Sequence, residues 1–344
     1  LNAISVRLIS VLAGTLAIPG IYLLTRQLFP KVALNFKFKK RSVSLSLPFL
    51  AAFFLSLLPW HLFISRPALE ANLGLTLFLF AVYFLLKFKD NPKHLLISSI
   101  LFSLTLHTYN TYRVLTPLFL FLYFLPKVKP SSIKRFLNKQ QPRLLWLSLA
   151  VFFLSFSLVI SQTLSGTGTA RYQKLAILND QTVFQIGEAR QNSSLSPFLA
   201  RLRHNRPLFF AEQFAHNYLN YFTPQFLYQS NGAQTQFAIP HKNLLTLNLT
   251  LLAILGFFIA IKRIKDSSHR LVLLLLALSP VAAAITASPP QALRPTPLII
   301  PLTLLAALGF FVVVNLFSSR NWAKSVVALI IFISFISSSL DYLS

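Results

Sequence analysis

The sequence of 344 residues contains no cysteine, no methionine and only seven acidic residues. Without cysteine, no disulfide framework can be inferred and the redox compartment is undetermined. Without methionine, Leu1 is not an encoded start, so we expect the full protein to begin earlier. Charged residues make up 11% of the chain, against about a quarter in a typical soluble domain. This scarcity argues against an ordinary soluble protein.

Apolar residues are abundant in this sequence. Hydrophobic residues make up 55% of the chain, phenylalanine alone occurs 34 times, and the mean hydropathy is +0.63. A membrane-spanning helix needs about 20 mostly apolar residues. We therefore predict one all-α domain over 1–344, a polytopic transmembrane helix bundle. About ten spans are expected, at 4–29, 42–60, 69–87, 94–109, 113–126, 144–163, 244–262, 271–287, 297–317 and 325–341.

The distribution of lysine and arginine predicts the orientation of this bundle. Twenty of these residues fall in one set of short connections, and only four fall in the opposite set. Because basic loops stay cytoplasmic, the first set is predicted to be inside, in the cytoplasmic (plasma) membrane. The segment 164–243 is then an extracytoplasmic loop inserted between two spans. The net charge of +25 is explained by topology and anionic lipid, and no nucleic-acid partner is expected because no soluble basic module is present.

Four arginines on the outer side are not required by topology. Each stands at the outer end of a helix pair, where a single arginine commonly extends to lipid headgroups. A shared outer site would instead bring them together, since polar residues in membrane proteins often face cavities. The four are Arg7, Arg66, Arg113 and Arg294.

The stretch SLLPWHLFISRPALEANLGL concentrates polar residues in a short break between two apolar runs. Trp60 is interpreted as an interface anchor. His61 is interpreted as a hydrogen-bonded histidine at the outer rim. Glu70 is either a carboxylate of the active site or a helix N-terminal carboxylate favoured by the macrodipole and paired with Arg66.

Five motifs resemble the GT-C superfamily of membrane glycosyltransferases, in its protein O-mannosyltransferase and aminoarabinose transferase type. They occur in the family's order along almost the whole chain: RLISVLAGTLAIPGIYLLTRQLF, LPWHLFISRPALEAN, HTYNTYRVLTPL, FTPQFLYQSNG and SPPQALRPTPLIIPLTLLAALG. Two departures stand out. The family's catalytic carboxylate lies in an outer loop that would precede Leu1, and Gln291 occupies a position where the family usually has histidine.

The resemblance implies a transferase that moves a sugar from a polyprenyl-phosphate donor to a glycan, lipid or protein acceptor outside the membrane. Membrane lipids are the other expected partners. A growing phosphate charge needs cationic donors, and arginine binds phosphate bidentately. The four outer arginines are therefore assigned to the donor phosphate and Glu70 to the catalytic set. The rim residues assigned to substrate contact are His61, His107 and Tyr109.

No metal ligand is assigned from these residues. The histidines His61 and His107 could join Glu70 around a metal, but their spacing matches no dedicated metal motif. A divalent metal is left open, and no other cofactor is implied.

The outer segment 164–243 contains one helical pattern, in NRPLFFAEQFAHNYLNYF. Its aromatic residues recur at helical spacing, and Pro207 suits a first turn. We predict a helix from Asn205 to Phe222 that lies in the outer interface, or that only packs on the bundle.

Two other function classes remain for comparison. A secondary transporter would place ionisable groups near the middle of the membrane and show an internal repeat, and the sequence shows neither. A non-catalytic protein that binds or exports a lipid carrier differs from a transferase only by lacking a catalytic carboxylate.

Overall fold

The computed structural model describes residues 2–38, 41–127, 142–165, 176–230, 242–287, 290–316 and 321–343. Helices dominate this part of the chain. The N-terminal set is α1 (Ala3–Leu28), α2 (Leu47–Leu57), α3 (Pro59–Ser65), α4 (Glu70–Lys87), α5 (Lys93–Thr108), α6 (Asn110–Phe124) and α7 (Pro142–Leu164). The remaining helices are α8 (Asp180–Gln191), α9 (Pro197–Arg203), α10 (Arg206–Asn220), α11 (Leu247–Lys262), α12 (Ser267–Leu278), α13 (Val281–Ala284), α14 (Ile299–Leu316) and α15 (Asn321–Leu343).

The all-α membrane bundle is confirmed, but the count of about ten spans is wrong for the described residues. By length and composition, six helical segments can cross a membrane: Ser5–Leu28, Glu70–Lys87, Arg143–Leu164, Ser267–Ala284, Thr296–Leu316 and Trp322–Tyr342. A seventh span results if α2 and α3, which meet at an angle of 61°, count as one. The helices α5, α6 and α11 have only 16, 15 and 16 residues. At 1.5 Å per residue they extend about 24 Å or less, short of a hydrocarbon core of about 30 Å.

A two-stranded antiparallel hairpin precedes α2. Strand β1 (Ala33–Phe38) pairs with β2 (Arg41–Ser46), with Phe38 opposite Arg41. Leu34 and Phe36, two residues apart, are both buried, as the period of a strand requires. The predicted span at 42–60 therefore begins in a strand, and Ser46 ends that strand by capping α2 through its side chain.

The bundle has two ends, which we name by one residue each. At the Trp60 end lie the start of α1, the junction of α3 with α4, and the junction of α5 with α6. At the Arg26 end, Ser268 at the start of α12 donates a hydrogen bond to the carbonyl of Leu28, 2.7 Å away. By the charge distribution, the Trp60 end is the predicted outer end.

A close helix crossing forms the centre of the core. Helix α14 is almost entirely buried and packs against α11. A Cβ atom at Gly256 would collide with the backbone of Leu305, and one at Gly309 would collide with the backbone of Leu252. The two glycines therefore allow the helix backbones to touch, as small residues do at membrane helix interfaces.

The described part of the long loop is helical and docks on the bundle. The predicted helix is confirmed as α10, capped by the Asn205 side chain. The Asn217 amide donates to the carbonyls of Ala284 and Thr286, at 3.2 and 2.9 Å. The Tyr218 hydroxyl donates to the carbonyl of Ala277 at 2.9 Å. These bonds hold α10 against the Trp60 end, and its location in the membrane interface remains a prediction.

Candidate functional site

A polar network joins α1 to the start of α4. The Ser10 hydroxyl donates to the carbonyl of Ile64 at 3.1 Å, and the Asn72 amide donates to the carbonyl of Ser10 at 2.7 Å. Both side chains are buried. Gly14 leaves room for the Ser65 side chain, which a Cβ atom would displace. The break between α3 and α4 is therefore fixed on α1 by specific hydrogen bonds.

Trp60 holds a second segment at the same end. Its side chain is fully buried, and its indole Nε1 donates to the carbonyl of Ala292 at 3.0 Å. The prediction that Trp60 anchors the membrane interface is therefore wrong. A buried indole N–H needs an acceptor, and that acceptor lies 232 residues away, where no local pattern can reveal it.

The segment that Trp60 holds contains Arg294; we call residues 285–287 and 290–295 the Arg294 loop. The Thr111 hydroxyl at the start of α6 donates to the Arg294 carbonyl at 2.9 Å. The guanidinium Nη1 of Arg294 donates to the Thr286 hydroxyl at 2.5 Å. The side chain is partly buried. Backbone and guanidinium are thus both held in place.

Two tyrosines accompany Arg294. The Tyr221 side chain is 1% exposed, and burial raises the pKa of its hydroxyl to about 12. The charge of Arg294 lowers that pKa and the neighbouring Tyr109 raises it, so all three groups are close. The Tyr221 ring packs edge-on against Phe226, with centroids 5.0 Å apart. A partly buried cation that one hydroxyl holds in place suits a phosphate oxygen.

The junction of α5 and α6 contains two more predicted site residues. Arg113 is partly buried, and its Nε donates to the carbonyl of Leu106 at 3.1 Å. The His107 Nε2 lies 2.9 Å from the Ser155 hydroxyl on α7, and the side chain is exposed. Tyr109 forms the corner between the helices with extended backbone.

The remaining predicted residues lie on the exposed side of this end. Glu70 begins α4 and is exposed, as a helix N-terminal carboxylate would be. Among the described residues it forms no ion pair with Arg66, so the predicted pair is wrong. Arg66 is exposed and its charge reaches Tyr342, while Arg7 is exposed on α1. A single cavity shared by all four arginines remains a prediction.

His61 differs from its predicted environment. The imidazole is buried, with only 3% of its surface exposed. It lies beside the backbone of Gly14 and Leu55. The predicted position at the outer rim is therefore wrong: the bend between α2 and α3 turns the ring inward. Within the described ranges, no three histidine, aspartate or glutamate side chains are grouped closely enough to hold a metal ion.

Sequence reasoning missed the residues that position Arg294. Thr286 accepts the guanidinium, and Asn217 fixes the backbone of Thr286. Tyr221 was counted only as one aromatic of an interfacial helix. The sequence shows polar residues at the outer ends of otherwise apolar segments. It does not show which of these residues contact one another in the fold.

Comparison with known proteins gives a structural relationship only. No protein-family model and no curated protein sequence matches the chain. Among solved structures, the apo oligosaccharyltransferase of Archaeoglobus fulgidus has a TM-score of 0.52 and 16% identity, over 98% of this chain and 44% of that chain. The oligosaccharyltransferase AglB of the same organism, in complex with an inhibitory peptide and a dolichol-phosphate, has a TM-score of 0.54 with the same identity and coverage. A form tethered to an acceptor peptide has a TM-score of 0.50.

These neighbours do not belong to the mannosyltransferase and aminoarabinose transferase type that the motifs resemble. The chain spans less than half the length of the oligosaccharyltransferase. At this identity the likeness concerns the fold alone. The chain therefore has a helical membrane fold similar to that of this archaeal oligosaccharyltransferase.

Proposed function

We propose that the chain is the membrane part of a glycosyltransferase that takes a sugar from a polyprenyl-phosphate carrier at the Trp60 end. The observation that supports this most directly is the structural match to an archaeal oligosaccharyltransferase over 98% of the chain. We place the site at the end of the bundle where Arg294 and Tyr109 are near enough to Tyr221 to affect the pKa of its hydroxyl. The charge distribution of the sequence makes this end the outer face.

The donor is proposed from the chemistry of Arg294. When a glycosidic bond to phosphate breaks, negative charge grows on the leaving phosphate, and a fixed cation stabilises that change. The Thr286 hydroxyl holds one guanidinium nitrogen and Thr111 holds the Arg294 backbone. A preorganised guanidinium needs no reorganisation as the charge develops. Arg113 at the adjacent junction and the exposed Arg66 and Arg7 are proposed to contribute further to donor binding.

Glu70 is the proposed carboxylate of this end, in a supporting role. It is exposed at the start of α4, next to Ala71, whose carbonyl accepts a hydrogen bond from Tyr112 at 3.4 Å. Transfer to a hydroxyl or amine needs a base to remove a proton. We assign Glu70 to acceptor orientation together with Tyr109 and His107, and not to the role of that base.

The acceptor is proposed to be a glycan, a lipid or a protein. A peptide is the candidate favoured by the neighbour whose structure includes an inhibitory peptide and a dolichol-phosphate. The sugar is proposed to be a single hexose, as in the mannosyltransferases whose motifs the sequence resembles.

The test is consumption of a radiolabelled polyprenyl-phosphate sugar by the full-length protein in membranes that contain its native acceptors. Arg294→Gln should lower kcat/KM by at least about 10²-fold, the loss typical of removing one transition-state donor. Arg201→Gln is the matched control, because Arg201 is exposed on α9, and it should leave the rate unchanged. Glu70→Gln should lower the rate while leaving donor binding intact.

A non-catalytic carrier-binding protein is the alternative. It would bind the same donor with the same dependence on Arg294 but release no polyprenyl phosphate from it. Turnover that is equal in Arg294→Gln and in the control would contradict the proposed role of Arg294.

A further inference from the structure

A second charged site lies at the Arg26 end, far from the Arg294 loop. There the last turns of α1 and α4 border an open pocket of about 310 Å³, at the lower end of the range of about 300–1,000 Å³ for ligand pockets. Its lining residues are Leu23, Arg26, Gln27, Pro30, Tyr83 and Lys87. The lining thus combines two cations, an amide and a phenol with two apolar side chains.

The two cations of this cavity have no acidic partner in the described part of the chain. Neither Arg26 nor Lys87 forms an ion pair there. Asp90 follows Lys87 by three residues, and its backbone N–H donates to the Lys87 carbonyl, 3.0 Å away, yet its carboxylate forms no ion pair with the ammonium. The Lys87 ammonium instead lies 5.6 Å from the centre of the Tyr83 ring. Two positive charges on one cavity repel each other unless an anion joins them.

The ordinary explanation for these cations is the helix macrodipole. Each residue lies in the last turn of its helix, where a positive charge is favourable. That explanation accounts for the charges but not for a cavity between them with an amide and a phenol in its wall. A cavity that offers a guanidinium fork, an ammonium and neutral donors has the donor set of a phosphate site.

The depth of the cavity indicates how the phosphate arrives. Arg26 and Lys87 end the candidate spans Ser5–Leu28 and Glu70–Lys87, so they lie where a bilayer has its headgroups. Leu23 lies one turn deeper, toward the hydrocarbon. Basic pockets between transmembrane helices on the cytoplasmic side are suited to anionic headgroups, and the charge distribution predicts that this end is cytoplasmic.

We propose that the cavity between α1 and α4 binds the phosphate group of an anionic membrane lipid, with Arg26 and Lys87 as its cationic ligands and Gln27 and Tyr83 as neutral donors. This site is separate from the donor site at the Trp60 end and does not depend on glycosyl transfer.

Native mass spectrometry of the purified full-length protein tests the proposal, with phosphatidylglycerol titrated into detergent micelles and phosphatidylcholine as the neutral lipid. The double variant Arg26→Gln/Lys87→Gln should bind phosphatidylglycerol at least tenfold more weakly, which corresponds to about 1.4 kcal/mol. Lys262→Gln/Arg263→Gln is the matched control: it removes one lysine and one arginine at the same end, both exposed and outside the cavity. The control should bind like the wild type.

A competition arm separates the two sources of phosphate. Inorganic phosphate should not displace phosphatidylglycerol at millimolar concentration if a lipid is the ligand. Displacement that depends on Arg26 and Lys87 would overturn the lipid assignment in favour of a free phosphate. Equal weakening in the cavity variant and the control would overturn the site itself. If the double variant does not fold, the single variant Lys87→Gln against Lys262→Gln provides the same comparison.

Discussion

Replacing Trp60 by phenylalanine should loosen the Arg294 loop without unfolding the bundle. Phenylalanine keeps most of the buried aromatic surface and its contact with Phe226, whose ring centroid is 5.9 Å from that of Trp60. It removes the Nε1 donor, which lies 3.0 Å from the carbonyl of Ala292. Ala292 is fully buried, so the carbonyl loses its indole donor at a cost of about 1–3 kcal/mol. The smaller ring adds about 1 kcal/mol for the cavity it leaves.

The expected loss for Trp60→Phe is therefore about 2–4 kcal/mol in the free energy of unfolding. Equilibrium unfolding in mixed micelles with increasing sodium dodecyl sulfate, followed by far-ultraviolet circular dichroism, measures it. Trp146→Phe is the control, since Trp146 is 64% exposed, and it should change stability by less than about 0.5 kcal/mol. Transfer activity should also fall about 10²-fold, because a displacement of about 1 Å in a site has that effect. Equal stability of the two variants would refute the conclusion that Trp60 holds the Arg294 loop.

The helix crossing in the core, the buried hydroxyl of Tyr221 and the orientation of the bundle can each be tested. Gly309→Ala should lower the free energy of unfolding by about 1–3 kcal/mol or more, because the new Cβ collides with a helix backbone. Gly187→Ala is the control in the same assay: Gly187 has open space around it, so this variant should be as stable as the wild type or more stable. Burial raises the pKa of Tyr221 to about 12, so its contribution to the free energy of unfolding is fully present below pH 10 and is lost between pH 10 and 12. Over this range the wild type should therefore lose about 2–3 kcal/mol more stability than Tyr221→Phe. An identical slope for both proteins would contradict the burial of the Tyr221 hydroxyl. In intact cells an impermeant thiol reagent should label Asn192→Cys and not Lys265→Cys, and the reverse labelling would overturn the orientation.

The helical class of the fold could be predicted from the sequence because apolar runs specify membrane helices almost by composition alone. The number of spans could not. The predicted spans at 94–109 and 113–126 do form helices, but these have only 16 and 15 residues. Helices of this length are too short to cross the hydrocarbon core of a bilayer. The hairpin was missed although Leu34 and Phe36 alternate with exposed residues, because the first strand lies in a segment assigned to a basic loop. The second strand was interpreted as the start of the span at 42–60.

The contacts within the candidate site could not be predicted from the sequence. The outer arginines were identified as a group because topology does not require them. The environment of Arg294 depends on partners that are distant in the sequence. Thr111 donates to the Arg294 carbonyl from 183 residues away, and Trp60 donates to the nearby Ala292 carbonyl from 232 residues away. Burial of His61 likewise depends on the bend between α2 and α3, which hydropathy alone does not indicate.

Photo-crosslinking of a polyprenyl phosphate tests most directly whether the Arg294 loop binds the donor phosphate. The probe has a diazirine in its first isoprene unit, close to the phosphate, and is applied to the full-length protein in liposomes before peptide mapping. If the Arg294 loop binds the donor phosphate, we expect adducts in this loop or at the junction of α5 and α6. These adducts should be lost in Arg294→Gln and kept in Arg201→Gln. Adducts found only at the Arg26 end, or adducts in the Arg294 loop that persist in Arg294→Gln, would contradict donor-phosphate binding by this loop.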